Sequence, residues 1–274
     1  AVVATMWTTA YIAAVAPAQR RRFYLVQDFE PGFYPGGTLF ALAEETYRLG
    51  LYGICNTEPI QEMYTQRYGG TGGWFLPAVD RDVFHPPEPL RIESRSQGDP
   101  IRIFVYARPG HWRNCWEIAL PALQALKEAY GEGIHIVTAG SWASPEDLGG
   151  GIEHLGLLDV RSTGELYRTC DIGVALTVSE HPSYLPGELM ACGVPVVAFD
   201  LPEAEWILRH EETGLRARQT VGGLREQLAR LVVDPDLRER CARGALSHID
   251  ARHSDWDAAL AHVWDLLCDP GDQP

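Results

Sequence analysis

Short apolar runs of β-forming residues alternate with segments of helical periodicity along most of this 274-residue chain, and that rhythm leaves few folds open. Residues 22–26, 51–55 and 73–76 read as strands, with helical patterning over 38–49 and 58–68 between them. A second series follows, with strands predicted at 101–107, 134–139, 152–155, 172–176 and 194–199. A helix over 114–130 places Ile118, Leu120, Leu123 and Leu126 at helical spacing. Alternation of this kind predicts parallel sheets with helical crossovers, hence an α/β fold. The strands of the second series are apolar enough for burial on both faces. Helices are predicted at 235–249, with Asp234 as cap, and at 255–267.

Residues 86–100 are rich in Pro, Glu, Arg and Ser and lack an apolar period, so they read as a linker. The chain thus divides into a partial N-terminal domain, 1–85, and a C-terminal domain, 101–274. The first domain opens directly on a strand at 1–5 and reads as incomplete. A signal peptide or anchor at 1–19 is disfavoured. Thr5, Thr8, Thr9 and Pro17 dilute the apolar run, and Arg20-Arg21-Arg22 follows the segment instead of preceding it.

Composition removes several function classes. Hydrophobic residues at 46% argue against disorder, and a formal net charge of -14 argues against nucleic acid as a partner. Six cysteines, Cys55, Cys115, Cys170, Cys192, Cys241 and Cys268, form no C-x-x-C pair. That suits reduced thiols in a cytosol better than a disulfide framework or a zinc site. Asp234-Pro-Asp236 and Asp255-Trp-Asp257 read as helix caps, and no metal is expected. No G-x-G-x-x-G follows a strand, which discounts a dinucleotide-dependent dehydrogenase.

Ligands of open α/β sheets sit beyond the carboxyl ends of the strands, and the unusual residues of this chain lie there. After the strand at 101–107 comes Tyr106-Ala-Arg108-Pro-Gly-His-Trp-Arg113. Two guanidiniums across a Pro-Gly turn can converge on a diphosphate, where each presents a planar fork to phosphate oxygens. A helix start already attracts anions, so extra cations there point to a bound anion. Further on stands Glu180-His-Pro-Ser-Tyr-Leu-Pro-Gly-Glu188, followed by Leu-Met-Ala-Cys-Gly193 and Val-Pro-Val-Val. Two carboxylates here span a loop and the start of a helix, and each can address a different end of one ligand.

This string resembles the E-x7-E signature of retaining GT-B glycosyltransferases, family 4. The resemblance runs from about Tyr24 to Leu267 and is sharpest between Gly173 and Phe199. It implies a GT-B fold, two Rossmann-like doubly wound domains facing a cleft. It implies that Glu188 accepts hydrogen bonds from ribose hydroxyls and that Glu180 sits near the transferring sugar, with Arg108 and Arg113 holding the diphosphate. The commoner family pattern has Gly-aromatic-Gly after the first Glu. Here His181, Pro182, Ser183 and Tyr184 stand instead, so His181, Ser183 and Tyr184 would supply the donor contacts. Gly140, Gly156 and Leu158 resemble the family's turn and its base-contacting segment. Tyr24-Leu-Val-Gln-Asp28-Phe-Glu30-Pro-Gly-Phe-Tyr34 is similar to a rhamnosyltransferase-like branch of bacterial surface polysaccharide synthesis. That similarity makes Asp28, Glu30 and Tyr34 candidates for acceptor contacts or proton removal.

The implied activity is a retaining, metal-independent transfer of a sugar, L-rhamnose from dTDP-rhamnose in that branch, to a glycan or lipid-linked glycan. The implied setting is the cytoplasm, at the inner face of the membrane, with peripheral membrane contact. A non-catalytic nucleotide-sugar-binding module and a GT-B sugar phosphorylase or epimerase remain the alternatives.

Overall fold

The computed structural model describes residues 1–17, 21–96, 98–142, 148–179, 181 and 183–268. It separates into two compact units. One holds Ala1–Ala78 together with Ser179, His181 and the last helix, and the other holds Val79–Val178 and the chain from Ser183 to Ser254.

In the first unit, β1 (Val2–Ala4), α1 (Trp7–Val15), β2 (Arg22–Val26), α2 (Thr38–Glu45), β3 (Tyr52–Cys55), α3 (Glu58–Glu62) and β4 (Thr71–Trp74) alternate. The four strands are all parallel and lie in chain order, β1-β2-β3-β4. Right-handed crossovers that always step the same way put every crossover helix on one face of the sheet. Side chains alternate across a strand, so Tyr24 and Val26 of β2 pack with Ala10, Ala13, Tyr47, Ile60 and Tyr64 on that face. Phe23 of β2 points the other way, into a second cluster with Tyr52, Ile54 and Phe75.

That second face is covered by the last helix, residues 256–268, through Trp256, Ala259, Val263, Leu266 and Leu267. Gly73 of β4 leaves the space, since a Cβ there would stand 2.5 Å from Leu266 Cδ2. Sequence reasoning places this helix in the C-terminal domain. The structure places it in the first unit, because a sheet wound in one direction has a bare apolar face that an amphipathic helix can bury.

The second unit begins with α4 (Arg91–Ser94), inside the segment that composition marks as a linker. Arg91 and Arg95 tie this segment to the buried carboxylate of Asp171, at 3.2 and 3.9 Å. Asp171 also accepts the backbone N–H of Arg102 at 2.8 Å, so the segment is seated on the sheet and is no loose connection.

Then follow β5 (Ile101–Tyr106), α5 (Trp116–Tyr130), β6 (Ile134–Ala139), β7 (Glu153–His154), α6 (Val160–Arg168), β8 (Ile172–Val174), α7 (Leu185–Ala191), β9 (Val196–Phe199), β10 (Gly214–Ala217), α8 (Val221–Val233) and α9 (Pro235–Arg252). The six strands are parallel in the order β10-β9-β8-β5-β6-β7. α5 and α8 bury Leu123, Leu126, Leu224, Leu228 and Leu231 on one face, and α6, α7 and α9 bury Leu166, Leu189, Met190 and Ile249 on the other. The last helix is α10 (Trp256–Cys268). Strand β10 and helix α8 escape the sequence reading, because β10 is four residues long and contains Arg216.

Asp234 Oδ1 accepts the N–H of Leu237 at 2.9 Å, and Asp255 Oδ1 accepts that of Ala258 at 2.8 Å. Both D-x-D strings therefore start helices, as their spacing predicts. The six cysteines are free thiols. No helix among the described residues is long and apolar enough to cross a membrane.

Candidate functional site

The winding of the second sheet decides where a ligand can lie. From β5 the chain steps to β6 and β7, then returns to the opposite side of β5 for β8 and proceeds outward through β9 to β10. The connections after β5 and β8 thus depart in opposite directions, and a crevice opens between the carboxyl ends of these two neighbouring strands. Their register sets Ile103 beside Ile172 and Val105 beside Val174, so both strands finish together. The loop after β5 carries Arg108 and Arg113, and the loop after β8 leads into α7, whose first turn carries Glu188.

Backbone strain gathers at the same place. Among the described residues three other than glycine have a left-handed φ, and two of them lie in these loops: Cys115 at 53° and Ser183 at 66°. A non-glycine residue held there costs about 1 kcal/mol or more, and such strain concentrates at ligand sites.

Arg108 is exposed, and among the described residues no hydrogen bond or ion pair engages its side chain. Its charge helps, after burial, to lower the pKa of His111 in the same turn. Arg113 is half-buried in a short 3-10 turn, Trp112–Asn114. Helix α7 is pressed onto the sheet, since a Cβ on Gly173 of β8 would lie 2.6 Å from Leu189 Cδ1. This seat fixes Glu188, the preceding residue, in a half-buried position. Burial pushes the Glu188 carboxyl up to about 7. Its charge is felt by Tyr167 and Cys192 beside it. Ser183 is half-buried and Tyr184 exposed in the turn before α7, while Glu180 lies outside the described residues.

The ends of β6 and β7 meet at two glycines. Gly140 donates its N–H to Gly156 O at 2.9 Å. Both have positive φ, 120° and 72°. A Cβ on Gly140 would stand 2.4 Å from the Tyr106 ring, so close packing and backbone conformation both call for glycine there. Leu158 packs half-buried against the cluster under α7.

The acceptor candidates of the first unit have a different fate. Glu30 is 3% exposed, with one carboxylate oxygen on the Trp7 N–H at 2.6 Å and the other on the Tyr24 hydroxyl at 2.9 Å. Burial raises its pKa, and the two donors oppose the rise. This carboxylate is an internal tie between β2 and α1, which corrects its reading as a group presented to an acceptor. Tyr34 is half-buried, and its hydroxyl accepts the Trp7 indole N–H at 3.0 Å. Asp28 is buried too, and its Oδ1 accepts the Phe29 N–H at 2.8 Å and the Ser179 hydroxyl at 2.7 Å.

His181 is 2% exposed, 3.4 Å through Nε2 from Asn56 Nδ2. The structure therefore gathers Asp28, Asn56, Ser179 and His181 in the first unit, and Arg108, Arg113, Gly140, Ser183, Tyr184 and Glu188 along one edge of the second sheet. Ser179 has no motif or periodicity to mark it, and Asn56, with Thr57, reads in the sequence as a structural mark just after a strand.

Comparison with known proteins agrees with this architecture. The chain matches a model described as the WsaF N-terminal domain over residues 1–57 and one described as the WsaF C-terminal domain over 101–229. It superposes on sucrose-phosphate synthase of Thermosynechococcus elongatus with a TM-score of 0.75 at 18% identity, covering 97% of this chain and 72% of that one. The chain has the GT-B fold. A second GT-B neighbour is Anabaena Alr3699/HepE, solved in complex with UDP and glucose, with a TM-score of 0.74 at 16% identity over 97% of this chain and 78% of that one. In sequence the chain is similar to the O-antigen biosynthesis protein RfbC of Myxococcus xanthus, 42% identical over 274 residues. It spans 99% of this chain but only 21% of that relative's length.

Proposed function

We propose that this chain is the core of a glycosyltransferase that takes a nucleoside diphosphate sugar as donor and serves the assembly of a bacterial surface polysaccharide. The observation that carries the reading is the switch point between β5 and β8, whose two loops bring an exposed arginine and a half-buried carboxylate to one sheet edge. The kinship with an O-antigen biosynthesis protein supports the polysaccharide context, and the UDP and glucose bound by HepE support the donor class.

In this reading Arg108 and Arg113 neutralise the diphosphate and stabilise the charge that grows on it as the sugar departs, which favours the transition state over the ground state. Glu188 accepts from the nucleoside's sugar, at the one free hydroxyl that a deoxyribose donor keeps, and the base lies along Gly156 and Leu158. Glu180, with Ser183 and Tyr184, addresses the sugar. Transfer proceeds with retention, the leaving phosphate helping to remove the acceptor's proton, and needs no metal because the guanidiniums supply the positive charge. We assign L-rhamnose from a dTDP donor as the preferred sugar, on the resemblance of residues 24–34 to the rhamnosyltransferase-like branch.

A thermal-shift series with UDP, dTDP, UDP-glucose and dTDP-rhamnose tests this. A ligand at a hundredfold excess over its Kd stabilises the native state by about 2.7 kcal/mol, a shift of several degrees. We expect dTDP-rhamnose to shift the melt most, and Arg108→Ala to weaken its binding roughly ten- to a hundredfold, the worth of one charge-assisted hydrogen bond. A melt unmoved by all four ligands would sink the reading.

A further inference from the structure

We propose that Asp28 and Asn56, which belong to loops after β2 and β3, are positioning residues that hold the chain on both sides of Glu180. The proposal rests on the transferase reading above, which gives that hold its purpose. Ser179 and His181 are the two chain neighbours of Glu180, and each meets a different anchor.

The Ser179 hydroxyl donates to Asp28 Oδ1 at 2.7 Å, and the His181 backbone N–H lies 3.5 Å from the same hydroxyl oxygen. Asn56 Nδ2 lies 3.4 Å from His181 Nε2. This contact joins a side-chain amide to a ring nitrogen, and the tautomer of the ring sets which of the two donates. Asp28, Ser179, Asn56 and His181 are 6%, 4%, 1% and 2% exposed, so these contacts form away from water, where hydrogen bonds to a charged group are strong.

The anchors are themselves fixed. The Asp28 carbonyl accepts the Tyr47 hydroxyl at 3.0 Å, and Tyr47 packs among Tyr24, Phe29, Tyr64 and Tyr68. Asn56 donates its backbone N–H to Val26 O at 3.2 Å, at the end of β2. Contacts that join residues 151 and 125 positions apart in sequence thus converge on Ser179 and His181, the two chain neighbours of Glu180. Reacting groups must be held to within a fraction of an ångström, and a displacement of about 1 Å can cost a hundredfold in rate. Asp28 is therefore assigned to holding this stretch in place of contacting the acceptor.

The test uses the full chain with UDP-glucose and dTDP-rhamnose as donors, and compares Ser179→Ala, Asp28→Leu and Asp28→Asn. Asn keeps an oxygen that can accept from Ser179, and Leu does not. We expect Ser179→Ala and Asp28→Leu to lower kcat for donor hydrolysis roughly tenfold or more, with dTDP affinity within about twofold of wild type, and Asp28→Asn to restore most of kcat. A wild-type kcat in Ser179→Ala, or a loss of dTDP affinity in step with kcat, overturns the proposal.

Should the unaltered chain turn over neither donor, the transferase reading fails separately. Nitrogen-15 spectra of the His181 ring then decide the positioning claim. A ring whose Nε2 signal changes in Asn56→Ala and Ser179→Ala supports it, and a ring insensitive to both substitutions overturns it.

Discussion

The loops after β2 and after β5 both leave the carboxyl end of a parallel strand and both carry charged residues around a Pro-Gly turn, yet their charges end in opposite conditions. Glu30 is buried, with both oxygens hydrogen-bonded inside its own unit. Arg108 stands exposed at a switch point of the sheet. The difference lies in winding. Among the described residues the first sheet steps in one direction only, and the Glu30 side chain turns back onto Trp7 and Tyr24 of its own unit. The second reverses direction at β5, and its loops part. A strand-end position thus marks where chemistry can occur, and topology decides whether the residue there faces a ligand or its own core.

Substitution breaks the comparison most strongly at Glu30. Glu30→Leu strands the Tyr24 hydroxyl and the Trp7 N–H without an acceptor, and each such buried donor costs about 1–3 kcal/mol. We expect a loss of about 4 kcal/mol in urea unfolding, against less than about 0.5 kcal/mol for Arg108→Ala. Equal losses in the two variants would erase the contrast between the loops.

Glu188 sharpens it next, through pH. Its pKa in the fold is raised from 4.5 to about 7 by burial, so the fold favours the protonated form. Its stability is therefore full below pH 4.5 and declines as pH rises through 7. Glu188→Gln removes that decline, and by pH 8 the variant should be the more stable by up to about 3 kcal/mol, with no such gain at pH 4. Nucleotide binding should run the other way, because the ionised carboxylate accepts the free hydroxyl on the sugar of the nucleoside. Affinity for dTDP should rise roughly tenfold from pH 6 to pH 8 in the unaltered chain and stay flat in Glu188→Gln. Matching pH profiles for the two proteins would remove Glu188 from the binding site.

The smallest effect concerns an acid that lies apart from both loops. Asp234→Ala should cost about 1 kcal/mol, the worth of one helix cap, and leave dTDP affinity unchanged. A change in affinity would mean that this D-x-D string does more than start a helix.

Much of the fold could be read from residue order. The apolar runs at 22–26 and 134–139 coincide with β2 and β6, and the Asp234 cap lies where its spacing predicts. Arg108 is marked by its charge just beyond a strand, a local signal, and Glu188 by the spacing of its motif and the resemblance it carries. Glu30 and the final helix lie elsewhere than local pattern places them, because both depend on distant partners: Trp7 for the one, Phe23 and Ile54 for the other. Ser179 was invisible, since a serine gains its meaning only from Asp28, far away along the chain.

Periodicity and charge, both set by neighbours in the chain, determined which segments are strands and helices and which residues could bind an anion. Strand order, the switch at β5 and the burial of Glu30 arose only in three dimensions. They depend on contacts between segments far apart in sequence, whose energies no local pattern records.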